Sequence, residues 1–439
     1  MENDRRKVVK VCLIAPPSPW ATEPAMNPPL GLCYISAYIK ERVPDIEVVG
    51  IDFAIDYIDY DGNYLKRIPL DCNVYGVTGF SAQHKWMREI SYYLQDQGAS
   101  PLVFGGGAHA SACPSEVAGI GLIPIQGDGE IPFARLLGAE RAWYNDLDEL
   151  PIPDRELFGM KNYHRTLLGE DAFHIVTLRG CPYSCHFCHK SSVGTKVRFR
   201  SIENVMNEID YLIDRYGTRA FVIYDDIFTL NRNRCFEFCK QFKMRNLIWR
   251  AWSRADLIDE ELLEAMIDGG LQSITFGIES GSNKILRNIN KRTTREKNQK
   301  ALVMCKKMGI PVRCSLMFGN PGENWATINE TIDLIKETQP DEWNLAVLAP
   351  VPGSEFWEHP EKHGLKFDKK WVRDNDYLVT NRFQESGVGS IWIEHEGKSK
   401  GELALMLEYF IESLEFVCPR KNIQDTIQEI DISKIKEGI

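Results

Sequence analysis

The sequence predicts an α/β protein with two sheets: a doubly wound (Rossmann-like) module first, then a second series of strand–helix units and a mostly helical end. Strands alternate with helices in both halves of the 439-residue chain, and most strands are continuous apolar runs, as in parallel sheets covered on both faces. An acidic stretch with two prolines at 146–155 predicts a linker between the two series. The expected units are residues 1–145, 146–172, 173–353 and 354–439.

Composition limits the function classes. A net charge of −10 does not favour a nucleic-acid surface. No apolar run approaches the ~20 residues that span a bilayer. The first residues do not form a signal peptide, so a cytoplasmic location is expected. Nine of the 12 cysteines are scattered, which suits reduced, buried thiols; Cys235 and Cys239 share a predicted helix face, and metal binding there is an alternative.

In the first module, strands are expected at 8–15, 46–53, 74–80, 102–104 and 120–125, with helices at 31–41 and 86–95. Polar and glycine-rich segments follow the carboxyl ends of these strands, where such sheets bind ligands. Glycine there lets the backbone approach a bulky ligand, but the pattern is not the dinucleotide fingerprint, because the triple glycine comes late. Tight turns in a vestigial sheet are the alternative. The candidate residues are Thr78, Ser81, Gly105, Gly106, Gly107, Gly127, Asp128, Gly129 and Glu130.

The second module contains six expected strands, at 173–178, 221–224, 248–252, 273–278, 312–318 and 343–348, most of them followed by a helix. After the strand at 273–278, helical sequence is expected as far as residue 308. An open sheet and a barrel-like arc both fit this order. Polar residues follow the strand ends, and in a barrel these ends form one functional rim, which favours the arc. The rim candidates are Asp225, Asp226, Arg254, Glu279, Ser280 and Gly319.

Three thiols, Cys181, Cys185 and Cys188, lie on a loop that leaves the strand at 173–178. Three thiolates can hold three irons of a 4Fe–4S cluster and leave the fourth iron open to an exogenous ligand. A zinc site, which normally takes four protein ligands, and one face of a helix are the alternatives. His186 and His189 flank the last cysteine and could ligate iron, form hydrogen bonds near it, or face the substrate.

This CxxxCxxC segment, with an aromatic residue before its last cysteine, resembles the signature of the radical SAM enzymes. The resemblance implies a 4Fe–4S cluster on the three cysteines, with S-adenosylmethionine (SAM) chelated to the open iron. Reductive cleavage of SAM then gives a 5′-deoxyadenosyl radical. The resemblance also implies a partial (β/α)6 barrel.

The same resemblance suggests roles for the rim. Glu279, followed by Ser280, matches the position that binds the SAM ribose, and Asp225 and Asp226 lie where the family contacts the methionine amino group. Gly319 begins a turn like the family's GxPGE turn beside adenine. Arg254 could neutralise the SAM carboxylate. Alternatively, either aspartate only caps the next helix, and Arg254 pairs with a surface aspartate, Asp256 or Asp259.

The first module resembles the cobalamin-binding domain of one large radical SAM subgroup. The resemblance is carried by the segment 27–32, the triple glycine, the GDGE segment at 127–130 and the LPIPDR linker. It implies cobalamin beside Gly105, Gly106 and Gly107 and beside residues 127–130. The DxHxxG pattern that supplies a cobalt-ligating histidine elsewhere is absent. His84 is the nearest replacement, although the sequence favours a surface histidine at the start of a helix.

Helices are expected at 402–416 and 423–435, either closing the barrel mouth or packed on its outside. The resemblance implies methylation of an unactivated carbon of a small biosynthetic molecule, with flavodoxin or ferredoxin as electron donor. A non-methylating oxidation, rearrangement or group insertion is the alternative, and a non-catalytic corrinoid or iron–sulfur sensor is a third interpretation.

Overall fold

The computed structural model describes residues 9–18, 26–55, 63–97, 102–139, 142–190, 194–369, 393–395 and 397–419. These residues form two parallel sheets with helices packed against them. The predicted helix at 423–435 lies outside the described residues. Within them, no helix combines the length and apolar character required to cross a membrane.

The N-terminal module has five parallel strands in the order β2-β1-β3-β4-β5. The strands are β1 (Val9–Ala15), β2 (Ile46–Asp52), β3 (Val74–Thr78), β4 (Leu102–Gly106) and β5 (Ile123–Pro124). The helices are α1 (Leu30–Arg42), α2 (His84–Asp96), α3 (Gly107–Ala112), α4 (Pro114–Gly119) and α5 (Glu130–Leu136). Val11 and Leu13 of β1 face one core and Cys12 and Ile14 face another, so both faces of the sheet are covered and the doubly wound prediction is confirmed.

The order of these strands reverses between β1 and β3, because β2 lies on one side of β1 and β3, β4 and β5 on the other. In doubly wound sheets this switch point opens a crevice beyond the carboxyl ends of the strands, where ligands bind. The N-terminal module therefore has its natural ligand position at the ends of β1 and β3.

The barrel module is a seven-stranded sheet in the order β14-β13-β12-β11-β10-β7-β6. Its strands are β6 (Thr166–Leu167), β7 (Glu170–Ile175), β10 (Ala220–Ile223), β11 (Ile248–Ser253), β12 (Leu271–Glu279), β13 (Val312–Phe318) and β14 (Glu342–Val347). Six are parallel and β6 runs antiparallel to β7. In the described part of the chain β14 and β6 are the two edges, so the sheet is an open arc and the predicted six-unit partial barrel is confirmed.

Helices cover the outside of this arc. They are α6 (Ile202–Tyr216), α7 (Arg232–Met244), α8 (Glu260–Asp268), α9 (Asn283–Asn288), α10 (Arg295–Lys307) and α11 (Trp325–Thr338). The expectation of continuous helix up to residue 308 is wrong, because residues 289–294 between α9 and α10 are not helical. Asn290 and Arg292 have φ of 53° and 55°, and Thr294 caps α10 by accepting a hydrogen bond from the Lys297 amide.

The C-terminal segment contains α12 (Glu355–Glu358), a short hairpin of β15 (Leu365–Lys366) and β16 (Glu394–His395), and α13 (Lys400–Val417). The predicted helix at 402–416 is thus confirmed. Leu403, Leu407 and Phe410 of α13 join the barrel's outer core, and the Trp343 indole donates to the Cys418 carbonyl at 2.7 Å. This helix stabilises the barrel from outside.

Candidate functional site

The cysteine loop, residues 180–190, begins within a hairpin of two short strands, β8 (Leu178–Arg179) and β9 (Arg198–Phe199). Gly180 opens it with φ of 96°, and a Cβ there would lie 2.4 Å from the Lys196 carbonyl oxygen. Only glycine therefore fits where the chain at position 180 passes the Lys196 carbonyl. The Cys181 amide then donates to the Gly194 carbonyl at 3.3 Å, which fixes the first cysteine.

The far side of the cysteine loop is held by the break between α9 and α10. The His186 amide donates to the Ile289 carbonyl at 3.0 Å, and His186 Nδ1 lies 2.9 Å from the Asn288 carbonyl. The Asn290 amide group donates to the Ser184 carbonyl at 2.7 Å. His186 is thus part of the loop's support, and its ring packs against Phe356 of α12 with centroids 5.7 Å apart.

The three thiols influence one another. Desolvation raises the pKa of the Cys185 thiol, against the neighbouring positive charges of Lys291 and Arg254. The pKa of Cys188 is raised to about 12, chiefly by desolvation and then by the negative charge of Cys185. Three adjacent thiolates repel one another unless a cation lies between them. This set of soft sulfur donors fits the irons of a cluster.

Asp225 supports the strand that leads into the cysteine loop. It follows β10, is buried, and accepts hydrogen bonds from the Thr177 amide at 2.6 Å, the Leu178 amide at 3.2 Å and the Thr177 hydroxyl. Burial raises its pKa to about 6. We therefore regard Asp225 as a positioning residue, while its predicted contact with SAM stays a prediction. The neighbouring Asp226 lies on the wall of a cavity between the two modules.

Arg254 is buried and already paired. Its guanidinium binds the Asp256 carboxylate at 2.9 and 3.0 Å and donates to the Lys291 carbonyl at 2.7 Å. It also stacks 3.9 Å from the ring centroid of Tyr183 in the cysteine loop. The pairing with Asp256 that the sequence left open is therefore present, but inside the protein.

Glu279 ends β12 at a bulge and has φ of 62°, a strained value for a non-glycine residue. Its carboxylate binds the Lys291 ammonium at 2.7 Å. A Cβ on Gly277 would lie 2.7 Å from this carboxylate and 2.8 Å from this ammonium, so glycine makes room for the pair. The strain and the pairing hold the Glu279 carboxylate at the rim.

Ser280 and Gly319, the next two residues predicted at the rim, each lie directly after a strand, Ser280 after β12 and Gly319 after β13. The Ser280 hydroxyl lies 3.2 Å from that of Thr331 in α11 and accepts from the Ser282 amide, so it joins β12 to its neighbouring helix. Gly319 has φ of 87°, and its amide donates to the buried Glu323 carboxylate at 2.5 Å. Desolvation raises the pKa of Glu323 to about 7 against these backbone hydrogen bonds. Whether either residue contacts SAM stays a prediction.

A cavity of about 300 Å³ separates the two modules at the carboxyl ends of both sheets. On the N-terminal side it is lined by Thr78, Gly106, Gly107, Gly127, Asp128, Gly129 and Glu130. On the barrel side its wall includes Arg179, Gly180, Tyr224 and Asp226. A Cβ added to Gly106 or Gly127 would meet nothing within 4 Å, so bare backbone forms a floor that a broad ligand can approach.

The two acidic residues of this floor also bind the hairpin before the cysteine loop. Asp128 pairs with Arg179 at 3.1 Å and with Arg198 at 2.5 Å, and Glu130 pairs with Arg179 at 2.7 Å. Desolvation raises the pKa of Asp128, but the two guanidiniums outweigh it and the net shift is downward. These ion pairs connect the glycine floor with the start of the cysteine loop.

The cobalamin contacts predicted at Gly105 and Ser81 stay predictions, and the expectation for His84 is wrong. Gly105 faces α4 instead of the cavity, because a Cβ there would lie 2.5 Å from Val117. The Ser81 hydroxyl lies 3.1 Å from Nδ1 of His109 and is not among the described residues of the cavity wall. His84 begins α2 as expected but is only 7% exposed, because its ring packs 4.6 Å from that of His109. The prediction of a surface histidine is wrong.

Comparison with known proteins decides the class of the barrel module. Residues 175–335, which include the cysteine loop and most of the barrel, match the model of the Radical SAM superfamily. The chain carries a radical SAM domain. Such a domain uses a 4Fe–4S cluster and S-adenosylmethionine.

Over most of its length the chain is also similar to a curated relative and to solved radical SAM structures. An uncharacterized methyltransferase of Pyrococcus horikoshii is 27% identical over 401 residues, which are 83% of this chain and 86% of the relative. The radical SAM methyltransferase TsrM of Kitasatospora setae, solved with cobalamin and a 4Fe–4S cluster, has a TM-score of 0.71 and 15% identity, covering 99% of this chain and 100% of TsrM.

The cobalamin-dependent SAM radical enzyme OxsB, solved with aqua-cobalamin and SAM, has a TM-score of 0.63 and 18% identity. The match covers 95% of this chain and 63% of OxsB. At such identities the two structures establish the shared fold. The chain spans only 33–50% of the length of the next three curated relatives.

Sequence reasoning missed the residues that hold the radical SAM domain's loop and rim. Lys291, which pairs with Glu279, and Asn290 lie in a polar run whose pattern predicts continuous helix. The N-cap pattern of Thr294 followed by Arg295 and Glu296 was the available signal for a helix start there. No local sequence pattern predicts the ion pairs of Arg179 and Arg198, because their carboxylate partners lie in the N-terminal module.

Proposed function

We propose that this protein is a cobalamin-dependent radical SAM enzyme that methylates an unactivated carbon of a small-molecule substrate. The observation that carries the proposal is the cavity between the modules. One wall is the carboxyl edge of the doubly wound sheet, where the glycine floor follows β4 and β5, and the other is the rim that bears the cysteine loop. A donor group on one wall and a radical source on the other would face the same substrate.

The chain's own residues have separate tasks in this arrangement. Cys181, Cys185 and Cys188 hold the cluster, and Glu279, fixed by Lys291, accepts hydrogen bonds from the ribose of SAM. Gly106, Gly107, Gly127 and Gly129 receive the face of the corrin ring through their backbone. When bound, the cluster and SAM supply a 5′-deoxyadenosyl radical, and cobalamin supplies the methyl group.

Two observations support cobalamin as the second cofactor: the residues that line the cavity and the cobalamin in the TsrM structure. None of the described residues that line the cavity is a histidine, so cobalamin bound there would be held by the glycine backbone and not by an imidazole of this wall. TsrM was solved with cobalamin, and the P. horikoshii relative also carries the name methyltransferase. Methylation is therefore the reaction we favour.

The test uses anaerobic full-length protein reconstituted with iron, sulfide and cobalamin. With a strong reductant, the wild type is expected to release 5′-deoxyadenosine from SAM, and Cys185→Ala to release none above background. Cys235→Ala, which removes a buried thiol of α7, is the control and should retain the activity. Equal release by wild type and Cys185→Ala would refute the cluster assignment.

The same samples separate the alternatives. A substrate product heavier by one CH₂ group, with consumption of a second SAM, identifies methylation; an unmethylated product identifies oxidation, rearrangement or group insertion. Absence of 5′-deoxyadenosine from fully loaded protein would favour a sensor. A flavodoxin or ferredoxin as electron donor and a cytoplasmic location complete the proposal.

A further inference from the structure

Three side chains of the N-terminal module converge away from the cavity. His84 begins α2, His109 lies in α3 and Glu116 lies in the first turn of α4. Each offers one potential ligand atom, and the three atoms lie within 4.8 Å of one another. His109 Nε2 is 3.7 Å from Oε2 of Glu116. None of the three is among the described residues of the cavity wall.

The chemistry of this set suits a zinc-type cation. Two imidazole nitrogens and a carboxylate oxygen are one of the recurring three-ligand sets for zinc, with the fourth position open to water. The two histidines are 7% and 1% exposed, and the Glu116 side chain is 24% exposed. A cation held there would be shielded from solvent on the histidine side.

The distances require only a small closure. Tetrahedral zinc with bonds of about 2.0–2.1 Å places its ligand atoms roughly 3.4 Å apart. The His109–Glu116 separation of 3.7 Å is therefore close to that value, and no separation exceeds it by more than about 1.4 Å, within reach of small side-chain rotations.

Ser81 provides the supporting contact that metal-binding histidines usually have. Its hydroxyl lies 3.1 Å from His109 Nδ1, which orients the ring and leaves Nε2 directed at Glu116. A hydrogen-bonded imidazole of this kind has its ligand nitrogen fixed before the metal arrives.

We propose that His84, His109 and Glu116 bind a zinc-type divalent cation that joins the start of α2 to α3 and α4. The site is separate from the iron–sulfur cluster and from the cavity. Its cation would fix the segments after β3 and β4, which begin beside Thr78 and Gly107 of the cavity wall.

The experiment adds zinc alone to anaerobic full-length protein loaded with its cluster, so that the three cluster cysteines are already occupied. X-ray absorption at the zinc edge reports the ligands directly, because Zn–N and Zn–O bonds are about 2.0–2.2 Å and Zn–S bonds about 2.3 Å. We expect one tightly bound zinc per chain with nitrogen and oxygen ligands only. Affinity is measured by competition with a chromophoric chelator.

The variants form a graded series. His109→Ala and Glu116→Gln should lose the tight zinc, and Ser81→Ala should weaken it about 10–100-fold, as expected for loss of a supporting contact. Glu203→Gln, an exposed carboxylate at the start of α6, should bind zinc like the wild type. If His109→Ala fails to fold by circular dichroism, the nearly isosteric Glu116→Gln decides. Unchanged zinc affinity in Glu116→Gln, or zinc bound to sulfur, would overturn the proposal.

Discussion

The carboxyl edges of the two sheets present opposite kinds of surface to the cavity between them. On the barrel side, the polar groups predicted to bind SAM are already engaged: Arg254 with Asp256, Glu279 with Lys291, and Asp225 with Thr177. On the N-terminal side, Gly106 and Gly127 leave bare backbone with nothing within 4 Å of where a Cβ would stand.

The difference indicates two modes of recognition. Paired charges hold polar groups in fixed positions, which suits a small molecule that carries an ammonium, a carboxylate and a diol. A glycine floor offers shape and close approach, which suits a broad, flat ligand.

The junction between the modules depends on a buried carboxylate. Glu208 of α6 is fully buried and pairs with Arg155 of the linker at 2.5 Å and with Arg200 at 2.6 Å. Removing it would leave two buried guanidiniums without a counter-charge. Glu208→Ala should therefore lower the free energy of unfolding by about 3–5 kcal/mol, measured by denaturant titration.

Glu203→Ala, in the first turn of the same helix but exposed, is the matched control and should show no comparable loss. If both variants lose the same amount, the buried pairs are not the cause. The loss of free energy of unfolding in Glu208→Ala should also depend only weakly on salt concentration, because salt screens buried ion pairs little.

The sequence predicted the fold and the residues at strand ends better than their contacts. Apolar runs located six strands of the barrel, because strands of a covered parallel sheet bury both of their faces. It could not show that Asp128 and Glu130 reach Arg179, since that contact requires knowing how the modules pack. The burial of His84 was missed for the same reason: its neighbour His109 is 25 residues away in the sequence, and no local pattern connects the two.

On the barrel side, Glu323 should make stability depend on pH. Its folded pKa of about 7 lies above an unfolded value of about 4.3, so the folded protein binds more protons between these values and loses stability as the pH rises. Glu323→Gln removes this titration. The stability of the wild type relative to Glu323→Gln should fall by about 2–3 kcal/mol from pH 5 to pH 8.

Denaturant titrations at the two pH values measure this difference. Asp225, whose pKa is also raised, titrates in both proteins and cancels in the comparison. The exposed Glu330→Gln in α11 should follow the wild type at both values. An unchanged difference between wild type and Glu323→Gln would show that the buried carboxylate does not titrate in this range.

On the N-terminal side, adjacent glycines should respond differently. The side chain that Gly106→Val adds would enter the cavity. This variant should weaken cobalamin binding by about 1–3 kcal/mol, roughly tenfold to a hundredfold, with little change in the free energy of unfolding. Gly105→Ala instead places a methyl 2.5 Å from Val117 and should cost about 1–3 kcal/mol of folding stability. Absorbance titration and denaturant unfolding separate the two effects. Equal cobalamin affinity in Gly106→Val and wild type would argue against the glycine floor as the cobalamin site.

The smallest effect should come from Arg198, whose side chain is 30% exposed and binds Asp128 across the two modules. Arg198→Ala should cost about 0.5–1 kcal/mol at low salt and less at 1 M salt, because partly exposed pairs are screened. A double-mutant cycle with Asp128→Asn isolates the energy of this pair. The control is Arg215→Ala, which removes an exposed partner of Glu156 and should show no measurable loss of free energy of unfolding. A coupling energy of zero between Arg198 and Asp128 would mean that Arg179 alone ties the glycine floor to the cysteine loop.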